Sequence, residues 1–375
     1  MRIEFGDIKL GEEAQKNLID CVKTSWISGG PKVKKLETEW SKLFSYKHSV
    51  AMANGTDADT AACMVLYDFG AKRGDEIIVP ACAFIAAANS ILAAGFTPVF
   101  VDIDKKTLNI NPDKIKEKLT DKTVAIMAVH TMGKPCDMDK INEIAKNNNL
   151  MVIEDSCEAH GAKYKDKFIG TLGDMATFSY YIAHLVTCGE GGMVSTNSSK
   201  IAGILESIRS HGRKPQTLYF DHIRYGLNFK MNDLEASIGL SQIPLFWDIF
   251  NKRKENLYYL LEKFKDLEKY AYFNLEEEHE VVCPHAFSIT LKDPKYNLRE
   301  LFDFLMKNEI NCKRNFGSIP TQHKSFEFLG HKLGDFPESE YVGEQGLHFG
   351  IHQYLSKEDL DYISEVVHEY FKRFE

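Results

Sequence analysis

Several things are missing from this chain of 375 residues. No apolar run approaches the roughly 20 residues that span a bilayer, so no membrane partner is expected. The opening MRIEFGDIKLGEE has neither a basic start nor an apolar signal core, which predicts a cytoplasmic protein. A basic excess is absent too. The net charge is −8, which argues against nucleic acid as a partner. Cysteine pairing is also lacking. The eight cysteines form no CxxC or CxC pair, the spacing that zinc and iron–sulfur sites usually show. Scattered in this way, they read as reduced, small hydrophobic residues, and no metal site is expected. Repeats, linkers and low-complexity segments are absent. Finally, no lysine lies between Lys167 and Lys200.

What is present reads as an ordinary globular composition, 44% hydrophobic and 27% charged. Short runs rich in Val and Ile recur at Glu76–Val79, Pro98–Asp102, Val124–Val129 and Leu150–Glu154. Their continuity suits strands buried on both faces of a parallel sheet. Helical patterns over Asn111–Leu119 and Met138–Asn147 alternate with them, so the chain reads as α/β. Gly192–Thr196 reads as a further strand. Beyond about residue 240 the pattern changes. An amphipathic helix over about Asp248–Leu267 leads into shorter strands such as Ala286–Leu291. A last helix opens near Ser356, with Asp359 placed for a capping box. These patterns predict a large unit over 1–245 and a small C-terminal α+β unit over 246–375.

Three segments carry chemistry. In MANGTDAD (Met52–Asp59) a strand-like run ends before a helical pattern. The free N–H groups of the new helix make a seat for phosphate, and Gly55 lets the backbone approach. An ordinary capped helix explains the same residues equally well. In VIEDSCEAHG (Val152–Gly161) an apolar strand ends in Glu154 and Asp155, with Glu158 following. That is the sheet edge where α/β proteins bind ligands, although a solvated strand end reads the same way. In ATFSYYIAHLVTCGEGGMVS (Ala176–Ser195) a lone histidine, His184, precedes the tight Gly189–Gly192 turn. Alone, such a histidine is more often structural than reactive.

Together these segments resemble the DegT/DnrJ/StrS family of sugar aminotransferases, which work with pyridoxal phosphate (PLP). WISGGP (Trp26–Pro31), VPACAF (Val79–Phe84) and YGLNFKM (Tyr225–Met231) extend the likeness over nearly the full chain. The resemblance implies a type I PLP-dependent aminotransferase fold, a mainly parallel sheet between helices, and a homodimer with shared active sites. It implies that Gly55, Thr56 and Ser179 bind the cofactor phosphate and that Phe84 stacks on the ring. Asp155 would pair with the ring nitrogen, Glu158 would line the cofactor site, and Asn228 would reach the neighbour's cofactor phosphate. The family usually has arginine where this chain has Lys230, and lysine lacks the bidentate fork.

Position 184 departs from the family, which there has the lysine that binds the cofactor covalently. Imidazole has no primary amine, yet it moves protons near neutral pH. Most aminotransferases of the family also have glutamine where this chain has Glu158. Both departures, and the ending GLHFGIHQ (Gly346–Gln353), resemble a dehydratase branch, where His352 would touch substrate. The branch often has a second histidine where this chain has Leu185, which leaves His184 as the expected catalytic residue. The resemblance then implies pyridoxamine phosphate (PMP) as the working cofactor and glutamate as amino donor. The substrate would be a nucleotide-linked 4-keto-6-deoxy sugar, GDP-linked, that loses its C3 hydroxyl. Three alternatives stay open: a C4 aminotransferase with a displaced lysine, an iron–sulfur 3-dehydratase for CDP-sugars, and a cofactor-binding regulatory protein. Only Cys283 and Cys312 lie in the C-terminal half, which disfavours the cluster enzyme.

Overall fold

The computed structural model describes residues 2–214 and 221–375. In chain order the first strands are β1 (His48–Met52), β2 (Glu76–Pro80), β3 (Thr97–Val101), β4 (Thr123–Val129), β5 (Met151–Asp155), the two-residue β6 (Lys163–Tyr164) and β7 (Lys167–Phe168), β8 (Met175–Ser179) and β9 (Gly192–Thr196). Seven of them form one sheet in the order β1-β9-β8-β5-β4-β2-β3. The pairs among β2, β3, β4, β5 and β8 are parallel. β9 runs antiparallel between β1 and β8.

Alternation along the strands explains why this sheet is covered on both faces. Ile78, Ile126, Ala128 and Val152 enter one apolar cluster. Their neighbours Ile77, Val79, Ala125, Met127 and Ile153 enter the other. Side chains alternate with period two, so runs that are apolar at every position need helices on both sides. The helix Gly55–Val65 shows the same logic at close quarters. Its residues are small, and Gly55 and Ala58–Val65 are all buried.

The remaining strands are β10 (Ala271–Phe273), β11 (Glu280–Val281), β12 (Phe287–Leu291), β13 (Cys312–Arg314) and β14 (Gly346–Phe349). Four make an antiparallel sheet in the order β10-β12-β14-β13, while β11 joins β6 and β7. The helices Phe246–Lys263, Leu298–Lys307 and Lys357–Phe371 supply its apolar cover. The capping box at Ser356 and Asp359 forms as expected.

One helix expectation fails. Asn111–Leu119 folds as two single 3-10 turns, Pro112–Lys114 and Lys116–Lys118. Neither turn buries a residue, and only Ile115 between them is buried in the core. A stretch so short, with one anchor, cannot offset the cost of nucleating an α-helix.

A carboxylate joins the two sheets. Asp102, just past β3, accepts from the Ser339 N–H at 2.9 Å and the Ser339 hydroxyl at 2.7 Å. It also accepts from the Glu338 N–H at 3.2 Å and from Lys114 Nζ at 3.1 Å. Glu338 and Ser339 open the helix Pro337–Gln345. Burial alone would raise this carboxyl, but the hydrogen bonds outweigh it and hold the pKa below its ordinary value. Among the described residues no helix is long and apolar enough to cross a membrane.

Candidate active site

The carboxyl ends of β5 and β8 open onto a cavity of about 480 Å³. Parallel sheets place ligands at this edge, because loops there diverge around the helix N-termini. One wall is the start of the helix Gly55–Val65. The Asn54 side chain caps it by accepting from the Asp57 N–H at 2.8 Å. Gly55 is required here by contact. A Cβ on it would stand 2.7 Å from the Ser179 Cβ. Gly55, exposed Thr56 and the Ser179 hydroxyl therefore line one end of the cavity beside free helix N–H groups, a natural seat for a phosphate. Gly192 abuts the Asn54 carbonyl, so a side chain there would push β9 away from this seat.

Asp155 ends β5 and lines the same cavity, buried. It accepts from the Cys157 N–H at 3.1 Å. Burial raises its carboxyl above the ordinary value, against opposition from that hydrogen bond and from His130. Glu158 lies one turn on. Its Oε2 accepts from the Met132 N–H at 2.6 Å, and its Oε1 stands 3.5 Å from His285 Nε2. Burial, with the Asp155 charge, pushes Glu158 up to about 7, while the Met132 N–H resists. Burial also drives His285 well below its ordinary value. Near neutral pH Glu158 therefore titrates beside an uncharged imidazole, protonated below about 7 and ionised above it.

His184 sits in the loop after β8, between two other histidines. Its ring centroid is 5.6 Å from that of His160 and 5.2 Å from that of His285. Its Nδ1 is buried and has no hydrogen-bond partner among the described residues. An imidazole titrating near 6.5 is what the free side chain suggests. In the fold, burial and then the Arg253 charge lower it to about 3. His184 is thus an uncharged base throughout the neutral range.

Phe84 lines the cavity, 60% exposed, with its ring 5.8 Å from Phe316. Asn228, expected at the neighbour's cofactor, and His352, expected at the substrate, do not line this cavity. Asn228 is exposed and bridges to Ser210. In place of His352, His348 lines the cavity. The reason is that β14 ends at Phe349, and Gly350 then packs on the Phe5 backbone, turning the chain aside. Sequence reasoning missed Asp59, His130, His285, Lys313 and Arg314, all of which line the cavity. Asp59 left a signal, being a carboxylate inside the apolar run Ala58–Val65. The others come from distant strands and loops that only the fold assembles.

A model of the DegT/DnrJ/EryC1/StrS aminotransferase family matches residues 9–368. The chain belongs to this family. Among its relatives, GDP-perosamine synthase of Escherichia coli O157:H7 is 33% identical over 357 residues, covering 94% of each chain. GDP-4-keto-6-deoxy-D-mannose 3-dehydratase of E. coli O55:H7 is 31% identical over 362 residues, covering 90% of this chain and 92% of the other. The solved E. coli dehydratase with bound hydrated PLP superposes with a TM-score of 0.88 at 28% identity, over 97% and 98% of the two chains. The type I PLP aminotransferase fold expected from the sequence is thereby established. This is an enzyme fold of nucleotide-sugar metabolism, and the family's cofactor is PLP or PMP.

The family cofactor fits the residues in place. The Gly55–Ser179 contact leaves a cradle that a side chain would fill, and the unpartnered His184 and His285 nitrogens supply buried polar atoms that need a ligand. Glu158 gives this site a measurable signature. The folded protein keeps a proton on it up to about 7, and the unfolded chain loses one near the ordinary 4.5. Stability contributed by this proton is therefore lost as pH rises through that window. Glu158→Gln is expected to flatten that part of the stability profile. Thermal melts across the window check it, and an unchanged slope in the variant would place the titration elsewhere.

Proposed function

We propose that this chain is a nucleotide-sugar 3-dehydratase, working with PMP and PLP, that removes the C3 hydroxyl of a GDP-linked 4-keto-6-deoxyhexose. The observation that carries this reading is His184, an uncharged imidazole with a free nitrogen, in the segment where the family holds its cofactor lysine. When bound, the cofactor supplies an amine for the C4 ketone and a ring that accepts electrons as the C3 hydroxyl leaves. Gly55, Thr56 and Ser179 hold its phosphate, Phe84 covers one ring face, and Asp155 faces the ring nitrogen. His184 takes a proton at its free ring nitrogen and returns it as the hydroxyl departs. Glu158, beside His285 and titrating near 7, can hold or release a carboxyl proton within reach of the same space. Lys313 and Arg314, on β13, put cations on the cavity wall where a diphosphate can dock. Glutamate is the amino donor. The protein acts as a cytoplasmic homodimer in which Asn228 reaches the neighbour's phosphate. Its two units span 1–245 and 246–375, and His348 takes the substrate-facing place expected of His352.

Incubation with a GDP-4-keto-6-deoxyhexose, glutamate and cofactor is expected to yield 2-oxoglutarate, ammonia and a 4-keto-3,6-dideoxy sugar. A 4-amino sugar with its C3 hydroxyl intact would refute the assignment.

The second reading is an aminotransferase whose lysine has moved. It has one foothold, because Lys313 lines the cavity. Lys163, Lys165 and Lys167 lie on or beside the β6–β7 hairpin, outside the lining. Borohydride treatment of the PLP-loaded protein, followed by peptide mass spectrometry, separates the two readings. No reduced cofactor should remain on the chain. An adduct on Lys313 would favour the aminotransferase.

A further inference from the structure

Asp59 belongs to no role described so far. It lies one turn into the helix Gly55–Val65, is 1% exposed, and lines the cavity. Its Oδ1 accepts from the Thr177 hydroxyl at 2.5 Å. Its carboxylate, an oxygen of Asp155 and the Cys157 sulfur all lie within 4.8 Å of one another. Neither aspartate has an ion-pair partner among the described residues. Two buried carboxylates this close cannot both ionise without a cation, because burial and mutual repulsion both penalise the second charge. His285, 6% exposed and with its Nδ1 unpartnered, lines the same cavity and marks it as a place that holds a ligand.

We propose that Asp59 is a positioning residue for Asp155: the pair shares one proton and presents a seat of one net negative charge to the cofactor's ring nitrogen. This rests on the reading that Asp155 faces that nitrogen. Thr177 orients Asp59 by donating to Oδ1, which leaves Oδ2 to carry the shared proton towards Asp155. The other titratable groups that feel the pair are Glu158, raised in part by the Asp155 charge, and the thiols Cys63, Cys136 and Cys157, whose own ionisation burial suppresses. Among the described residues, His130 is the base that favours an ionised Asp155. Burial, then the Asp155 charge, raises Asp59 well above the ordinary value, which favours the shared proton on the Asp59 side. A ring nitrogen that docks there meets a carboxylate and a proton together. The pair can become fully ionised only when a pyridinium cation is present to balance it.

The test uses full-length protein. Infrared spectra of the cofactor-free enzyme near neutral pH should show a protonated carboxyl C=O band that Asp59→Asn removes. Glu158→Gln should remove a different one. Thr177→Val keeps both aspartates and should shift the Asp59 band by deleting the hydroxyl that hydrogen-bonds to it, so the proposal stays testable if Asp59→Asn fails to fold. In the loaded enzyme, the ring-nitrogen chemical shift of ¹⁵N-labelled cofactor should move towards neutral pyridine in Asp59→Asn and further in Asp155→Asn. A carboxyl band unmoved by both the Asp59 and Thr177 changes would overturn the shared proton. So would stoichiometric metal in the purified protein, held by Asp59, Asp155 and Cys157. A ring-nitrogen shift that moves in neither variant would instead remove the underlying placement of Asp155.

Discussion

Turnover of His184→Asn is expected to fall by about 10²–10⁴-fold, the usual contribution of a positioned general base. Asparagine keeps approximate volume and a polar end, so the loop after β8 should hold and the cofactor should still bind. The pH profile sharpens the expectation. Burial holds His184 at about 3, so its protonation cannot limit the rate near neutrality. Any limb of the profile near 7 should belong to Glu158 and should vanish in Glu158→Gln while surviving, at low rate, in His184→Asn. Full activity in His184→Asn, measured by product formation under saturating cofactor, would make the histidine structural. His184→Lys goes the other way. It restores a primary amine at the family's anchoring position, and borohydride should then fix the cofactor to residue 184 while dehydration falls. Dehydration at the native rate in that variant would show that His184 is not the base.

Asp155→Asn is expected to cost about 10²–10³-fold, the size of losing one preorganised electrostatic contact in a buried site. The swap is isosteric, and the hydrogen bond from the Cys157 N–H can still be accepted by the amide oxygen. The fold should therefore persist, as circular dichroism would show, while an amide can no longer balance a protonated ring nitrogen. A variant that unfolds would assign Asp155 to structure. A folded variant with native turnover would detach it from the chemistry.

The large sheet was legible because its signal is local. Glu76–Val79 and Val124–Val129 are apolar at consecutive positions, and only strands covered on both faces tolerate that. The helix Met138–Asn147 was read to the residue, since Asp137 caps it and its apolar positions share a face. Asn111–Leu119 was misread because a helical pattern without buried anchors carries no packing term. The site was half legible. Gly55, Asp155, Glu158, Ser179 and His184 sit in motifs whose residues are neighbours in sequence, and all five line the cavity. His285, Lys313, Arg314 and His348 come from β13, β14 and the approach to β12, and no local pattern marks them as partners of residues about 100 or more positions earlier. His352 is the histidine that the resemblance names, whereas His348 is the one that lines the cavity. Their shared segment was visible, but the strand end at Phe349 that separates them was not.

Asp102 carries a consequence for how the molecule comes apart. Its carboxylate caps the helix Pro337–Gln345 from the far side of the chain, and the Ile319 N–H adds a bond to the Ala81 carbonyl at 2.7 Å. The cavity itself takes walls from both sheets, Asp155 and Ser179 from one and Lys313 and His348 from the other. Losing either sheet would strip the other of hydrogen-bond partners already paid for in buried surface. Denaturation should accordingly be cooperative, with one transition seen by all probes, and a fragment cut near residue 245 should behave as an exposed, aggregation-prone half rather than as a small enzyme.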